Sequence, residues 1–184
     1  MPAPSIAAAE TTPSRAVVVS DALFSFVAFE PVSLTSANRC LIEWGHKMGA
    51  LNRGNQGAVA CHALIHEGKP VAVTTASNLI APVVGGGCNW MTRENTVELS
   101  RLCAARPGLC RVALRLWREF VFPALPYQMA MSYQDADLHN GNTYRFDGWE
   151  MVGRARSGPD TRSGRPGRDK RVWAWPPRSE KLNR

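Results

Sequence analysis

The sequence predicts a mixed α/β domain built around one central sheet. Two observations predict it. Runs of β-favouring residues alternate with segments of helical periodicity, in the order strand, helix, β-hairpin, long strand, helix, strand, short helix, strand. The chain has 184 residues, 45% of them hydrophobic, enough for one buried core.

Residues 1–15 are small and Pro-rich and read as a disordered leading segment. Ala16 to Val19 and Phe24 to Phe29 are apolar and strand-like. Ser33-Leu34-Thr35-Ser36 supplies an N-cap. The helix it opens places Ala37, Cys40, Leu41 and Trp44 at helical spacing and ends near Gly45 or Gly49. A loop at 52–57 leads to two strands, Ala58 to His66 and Pro70 to Thr75, joined by the Gly-containing turn Glu67-Gly68-Lys69. Gly85-Gly86-Gly87 breaks the pattern, and Thr96 to Cys103 alternates as a strand. After Arg106-Pro107-Gly108, an apolar stripe of Leu109, Val112, Ala113, Leu116, Trp117 and Phe120 predicts a helix that Pro123 stops. Tyr127 to Tyr133 reads as a buried strand, 142–147 as a short helix and Trp149 to Val152 as a last strand. The domain is expected over 16–153, with a basic tail over 154–184.

The net charge of +7 is localised. Residues 1–151 carry twelve lysines and arginines against twelve acids; residues 152–184 carry ten against three. A concentration of cations favours a polyanionic partner, above all nucleic acid, with a solubilising end as the other reading. Trp173 and Trp175 lie among these charges, where they would either stack on a base or dock the tail onto the domain. The five cysteines, Cys40, Cys61, Cys88, Cys103 and Cys110, are odd in number and form no CxxC pair, so reduced thiols are expected and no structural zinc. His62 and His66 share one face of a strand but lack a third metal ligand. No apolar run reaches the roughly 18–20 residues of a membrane-spanning helix, and Met1 to Glu10 lacks the pattern of a secretory signal. A cytoplasmic protein without membrane attachment is expected.

Two places carry chemistry. Arg106-Pro107-Gly108 stands at a helix N-terminus, where free N–H groups and an arginine suit a pyrophosphate such as that of coenzyme A. Ser132-Tyr133-Gln134-Asp135 follows a central strand and precedes a polar loop containing His139 and Tyr144. There Asp135 or His139 would move a proton and Tyr144 would supply one. Alternatively Asp135 caps the next turn and Tyr144 packs in the core. His46 ends the first helix in Trp44-Gly45-His46-Lys47.

Residues 31–153 resemble the GCN5-related N-acetyltransferase superfamily. The likeness rests on the loop Ala105 to Leu109 before a helix, and on the closing segment Asn142 to Gly153. It implies a mostly antiparallel sheet flanked by helices and an acyl-CoA donor such as acetyl-CoA, held near Leu102, Cys103, Arg106, Gly108 and Leu109. The detail is similar to the phage Mom DNA-modification proteins, in Trp44-Gly45-His46, Glu98 to Leu102, Ser132 to Asp135 and His139 to Arg145. That family converts adenine in DNA to a carbamoylmethyl form and shields phage DNA from restriction. The resemblance implies His46, Arg101, Ser132, Asp135 and Tyr144 as catalytic residues and double-stranded DNA with a small-molecule donor as partners. Asp135 or His46 would then be the base, Arg101 would hold an anionic group and Tyr144 would serve the leaving group. Two features depart from the pattern: Arg-Pro-Gly replaces a longer glycine phosphate loop, and no aromatic follows His46. An acetyl-CoA-dependent transferase acting on a protein or small amine, and a non-catalytic nucleic-acid-binding module, are the rival readings. Monomer and homodimer are both compatible with the sequence.

Overall fold

A computed structural model describes residues 17–21, 24–52, 57–159 and 167–177, with side chains from residue 28 onward. The leading segment, most of the loop at 52–57, and Arg162, Arg165, Arg178, Lys181 and Arg184 lie outside the described residues.

The elements are β1 (Val17–Asp21), β2 (Phe24–Pro31), α1 (Leu34–Glu43), β3 (Ala58–His66), β4 (Lys69–Asn78), β5 (Thr96–Ala104), α2 (Leu109–Leu116), β6 (Met129–Asp135), α3 (Asn142–Arg145), β7 (Glu150–Ser157) and β8 (Arg168–Trp175). They form one eight-stranded sheet in the order β1-β2-β3-β4-β5-β6-β8-β7. Every neighbouring pair is antiparallel except β5 and β6.

Local chemistry sets the helix ends. The Ser33 side chain accepts from the Ser36 N–H at 3.1 Å and starts α1. Gly108, at φ 86°, starts α2 with no side-chain cap. Beyond Leu116 the helix continues as a π turn over Trp117–Val121 and a 3₁₀ turn over Phe122–Ala124, where Pro123 sits. A π turn widens the spiral by one residue and shifts its phase. The buried face departs from the expected stripe on both sides of Leu116: Val112 and Phe120 are each 44% exposed, and Leu114 and Val121 are buried.

The helices pack on opposite faces of the sheet. Cys40 and Leu41 of α1 cover Ala63, Val73 and Cys103. Ala113, Leu114 and Trp117 belong to the core over Leu64, Ala72 and Ala76 on the other face. On the α1 face, the connection 79–95 also folds over β6 and β8, burying Val84, Cys88 and Met91 against Met129, Met131 and Val172.

The last strand is the largest departure from expectation. The sequence ends the domain at 153 and assigns everything after it to a tail. Instead β7 runs to Ser157, and residues 168–175 return as β8, inserted between β6 and β7. The β-favouring run Val172-Trp173-Ala174-Trp175 has a deep place to go: Val172 and Ala174 face one core, Trp173 the other. The two tryptophans thus dock on the domain and are not free to stack on a base.

Candidate active site

β5 and β6 run parallel, but only Thr96, Val97 and Glu98 pair with Met129, Ala130 and Met131. Beyond those three positions no register is kept, and the strands part. β5 also carries a bulge. Ala76 of β4 pairs with Leu99 and the adjacent Thr75 with Arg101, so Ser100 is the extra residue. Its hydroxyl bonds that of Ser77. The parted strands open onto two clefts that share Met48, Ser100, Tyr133, Asp135 and Arg168.

The smaller cleft, about 240 Å³, reaches the α2 face, where Leu102, Cys110, Ser132 and Tyr144 line it. Ser132 Oγ lies 2.9 Å from the Leu99 carbonyl and 2.8 Å from the Tyr144 hydroxyl. A serine has one proton. With that proton donated to Leu99, the Tyr144 O–H is the donor to Ser132. Tyr144 is 8% exposed, stacked on Trp173 at 5.5 Å and edge-on to Trp149. Burial pushes its pKa up to about 12, so it stays a neutral phenol. The Gln134 side chain fixes this corner, accepting from Trp173 Nε1 at 2.9 Å and donating to the carbonyls of Asp135 and His139.

His46 enters the same cleft from the loop after α1. Its Nδ1 accepts from the Met48 N–H at 3.2 Å. Burial, then Arg101 and His139, lower its pKa to about 4. The ring is neutral at pH 7, and this bond leaves its proton on Nε2. That makes His46 a donor toward the cleft and argues against the role of base.

The larger cleft, about 970 Å³, lies on the α1 face. Glu98, Arg101, Tyr133, Asp135, Arg168 and Lys170 form its polar wall. Leu79, Ile80, Val83 and Val84 form an apolar one. Asp135 both caps and lines. Its Oδ1 accepts from the Asp137 and Leu138 N–H groups, and its Oδ2 lies 3.6 Å from Arg168. Arg101 donates to the Gly49 carbonyl at 3.2 Å and to that of Ser100 at 2.8 Å, tying the His46 loop to the bulge. Both bonds hold its guanidinium at the junction of the loop and the bulge.

The sequence-derived catalytic set is thus brought together, with Arg101 in the larger cleft and His46, Ser132, Asp135 and Tyr144 in the smaller. Of the donor-binding set, Leu102 lines the smaller cleft. The Cys103 thiol is buried under α1, leaving only its backbone to a ligand. Arg106 and Gly108 are exposed and Leu109 is half-buried at the start of α2. No carboxylate stands in the first turn of that helix. Sequence reasoning missed Arg168 and Lys170, placed in the tail, and the buried Glu98 as a cleft residue. The β-favouring run Val172-Trp173-Ala174-Trp175 was the available signal for the first two. All five cysteines are free, and no group of three metal-ligating side chains occurs among the described residues. No helix among them is long and apolar enough to cross a membrane.

No family model and no curated protein matches the chain. Solved structures do. The ribosomal-protein-S5-alanine acetyltransferase of Vibrio fischeri matches with TM-score 0.58 at 10% identity, over 86% of this chain and 95% of that one. NAA60 of Arabidopsis thaliana, solved with a bisubstrate analogue, gives 0.55 at 13% identity, over 81% and 97%. A Bacillus subtilis acetyltransferase in complex with CoA gives 0.52 at 11%, over 79% and 95%. The mostly antiparallel sheet with helices on both faces, matched over most of the length of these proteins, has the fold of the GCN5-related N-acetyltransferases.

Proposed function

We propose that the protein is an N-acyltransferase, moving an acyl group from a coenzyme A thioester to an amine. The observation that carries this reading is the parting of β5 from β6. It opens onto a cleft on each face of the sheet, so a donor and an acceptor can meet across the gap.

The donor belongs on the α2 face. The start of α2 has no side-chain cap and no acidic first-turn residue, and Arg106 and Arg111 stand beside it. First-turn N–H groups and the helix dipole suit a pyrophosphate. Pro107 removes one N–H from this loop, so fewer donors face the phosphates than a glycine-rich loop would offer.

In the reaction the amine nitrogen attacks the thioester carbon. The C–N bond forms, the C–S bond breaks, the amine loses a proton and the thiolate gains one. Glu98, a carboxylate 7% exposed in the larger cleft, is our candidate for receiving the amine proton. Asp135, which the sequence offers as base alongside His46, already accepts two N–H bonds. His46 Nε2–H donates to the developing oxyanion. Tyr144 serves the leaving sulfur by turning its O–H from Ser132 Oγ to the thiolate as the C–S bond breaks, while Ser132 stays bonded to the Leu99 carbonyl.

The adenine amine of DNA is a second reading of the acceptor. Supporting it, Arg154 and Arg156 are exposed on edge strand β7, and Arg154 lies opposite Arg171.

The test is release of free thiol from acetyl-CoA in the presence of peptides, small amines or DNA, with mass spectrometry of the products. Amine-dependent thiol release supports the acyltransferase reading. A mass-shifted deoxyadenosine supports the second. A folded protein that neither binds acetyl-CoA at millimolar concentration nor releases thiol refutes the first.

A further inference from the structure

With the donor on the α2 face, the larger cleft on the α1 face receives the acceptor, and its wall is chemically specific. Three cations line it, Arg101, Arg168 and Lys170. Two are engaged. Arg101 donates to the Gly49 and Ser100 carbonyls, and Arg168 pairs with Asp135 at 3.6 Å and contacts Met48 Sδ. Lys170 differs. It stands on β8 opposite Asp135, with Nζ over the Tyr133 ring at 5.4 Å from the centroid. Among the described residues, no carboxylate lies within ion-pair distance of it.

Two cations and two carboxylates stand around Lys170 in the same cleft. Its burial, with Arg168 and Arg101 nearby, pulls its pKa below the usual lysine value, against the opposing pull of Glu98 and Asp135. A half-buried ammonium without an ion pair gains more from an arriving anion than an exposed one does. Across the cleft, Ile80 is 73% exposed and Val83 43%, apolar side chains lining a cavity that opens to solvent.

We propose that Lys170 anchors an anionic group of the acceptor, so that the enzyme selects small amphoteric amines bearing a carboxylate or phosphate near the nitrogen and an apolar group beyond it. The inference rests on the acyltransferase reading. The amine would face Glu98 and the parted strands, the anion Lys170, and the apolar group Ile80 and Val83.

The experiment compares matched acceptors with acetyl-CoA. L-leucine is set against 3-methylbutylamine, which lacks only the carboxylate, and O-phosphoethanolamine against ethanolamine. Binding of each acceptor to the full chain is followed in parallel by NMR titration. The expected result is a preference of about tenfold or more in kcat/KM for the anionic member of a pair, the size of one charge-assisted contact. It should sit mainly in KM, fall to near unity in Lys170→Met and return in part in Lys170→Arg. The leucine pair and the phosphate pair tell which anion is meant. Equal kcat/KM within both pairs, a preference that survives Lys170→Met, or failure of every anionic member to bind overturns the proposal. Acetyl-CoA binding and thiol release with other amines are scored separately, and their absence is what overturns the acyltransferase reading.

Discussion

Ser132 gives its one proton to the Leu99 carbonyl, and Tyr144 gives its own to Ser132. The pair thus fastens β5 to β6 at the point where they part, and it holds the Tyr144 phenol at the smaller cleft. Tyr144→Phe keeps the ring between Trp173 and Trp149 and removes only the hydroxyl. Stability should change by about 1 kcal/mol or less in urea titration. The turnover rate should fall by about 10²-fold or more with little change in the KM for acetyl-CoA, as for loss of a group acting on the leaving atom. An unchanged turnover rate would make Tyr144 a core residue alone. Asp147 shows the opposite balance. Its side chain is 1% exposed and bonds Arg118 at 2.9 Å, Arg115 at 3.4 Å and Trp149 Nε1 at 3.2 Å. Asp147→Ala strands a largely buried guanidinium and an indole N–H. We expect a loss of about 3–5 kcal/mol, read from the shift of the urea midpoint.

At the scale of elements, the connection from β6 to α3 is held by backbone geometry. Gly141 has φ +85°, and a Cβ there would lie 2.6 Å from Trp173 Cζ2 and 2.9 Å from Gln134 Oε1. Gly68, in the β3–β4 turn, has φ +73° with nothing within 4 Å of such a Cβ. The contrast separates strain from crowding. Gly68→Ala should cost about 1 kcal/mol, for the left-handed backbone alone. Gly141→Ala should cost about 2–4 kcal/mol, because overpacking is added. Equal costs in thermal or urea unfolding would show that the Trp173 corner yields freely. The π turn belongs to the same scale: it carries the helix from Leu116 to the turn at Pro123, with Trp117 and Val121 buried and Phe120 44% exposed.

Across the whole molecule, stability should depend on pH through buried histidine. His62 is buried against Phe29, with ring centroids 5.4 Å apart, and neither of its nitrogens has a hydrogen-bond partner among the described residues. Burial lowers its pKa to about 4. The sign follows from proton uptake. Between about pH 4 and pH 6.5 the unfolded chain binds the proton and the folded chain does not, so unfolding takes up a proton. Stability is therefore full above pH 6.5 and declines as pH falls toward 4. His46, also held neutral to about 4, adds in the same direction. The His62 share approaches about 3 kcal/mol at the low end. Urea unfolding at pH 7.5 and pH 4.5 should show the decline. His62→Phe, which keeps a ring on Phe29 and titrates nothing, should reduce it. A pH-independent wild type, or a variant with the same slope, would contradict this account.

The sequence by itself determined the order and type of most elements. Ser33 caps α1, Gly68 turns the hairpin between β3 and β4, and β3 has the bounds the sequence predicts, because caps and turns are local chemistry. It also placed His46, Ser132, Asp135 and Tyr144 as candidates, which the fold gathers at one cleft. Only the tertiary structure decided that residues 168–175 are a strand. A Gly- and Arg-rich approach hides them, and what holds them is the space between β6 and β7, which no local pattern encodes. The same is true of the parting of β5 from β6, where three paired positions give way to a gap, and of the π turn. Arg101 donates to the Gly49 carbonyl far back in the chain and to the neighbouring Ser100, and His46 Nδ1 accepts from the Met48 N–H two residues on, so of these bonds only the Arg101–Gly49 one depends on the tertiary fold.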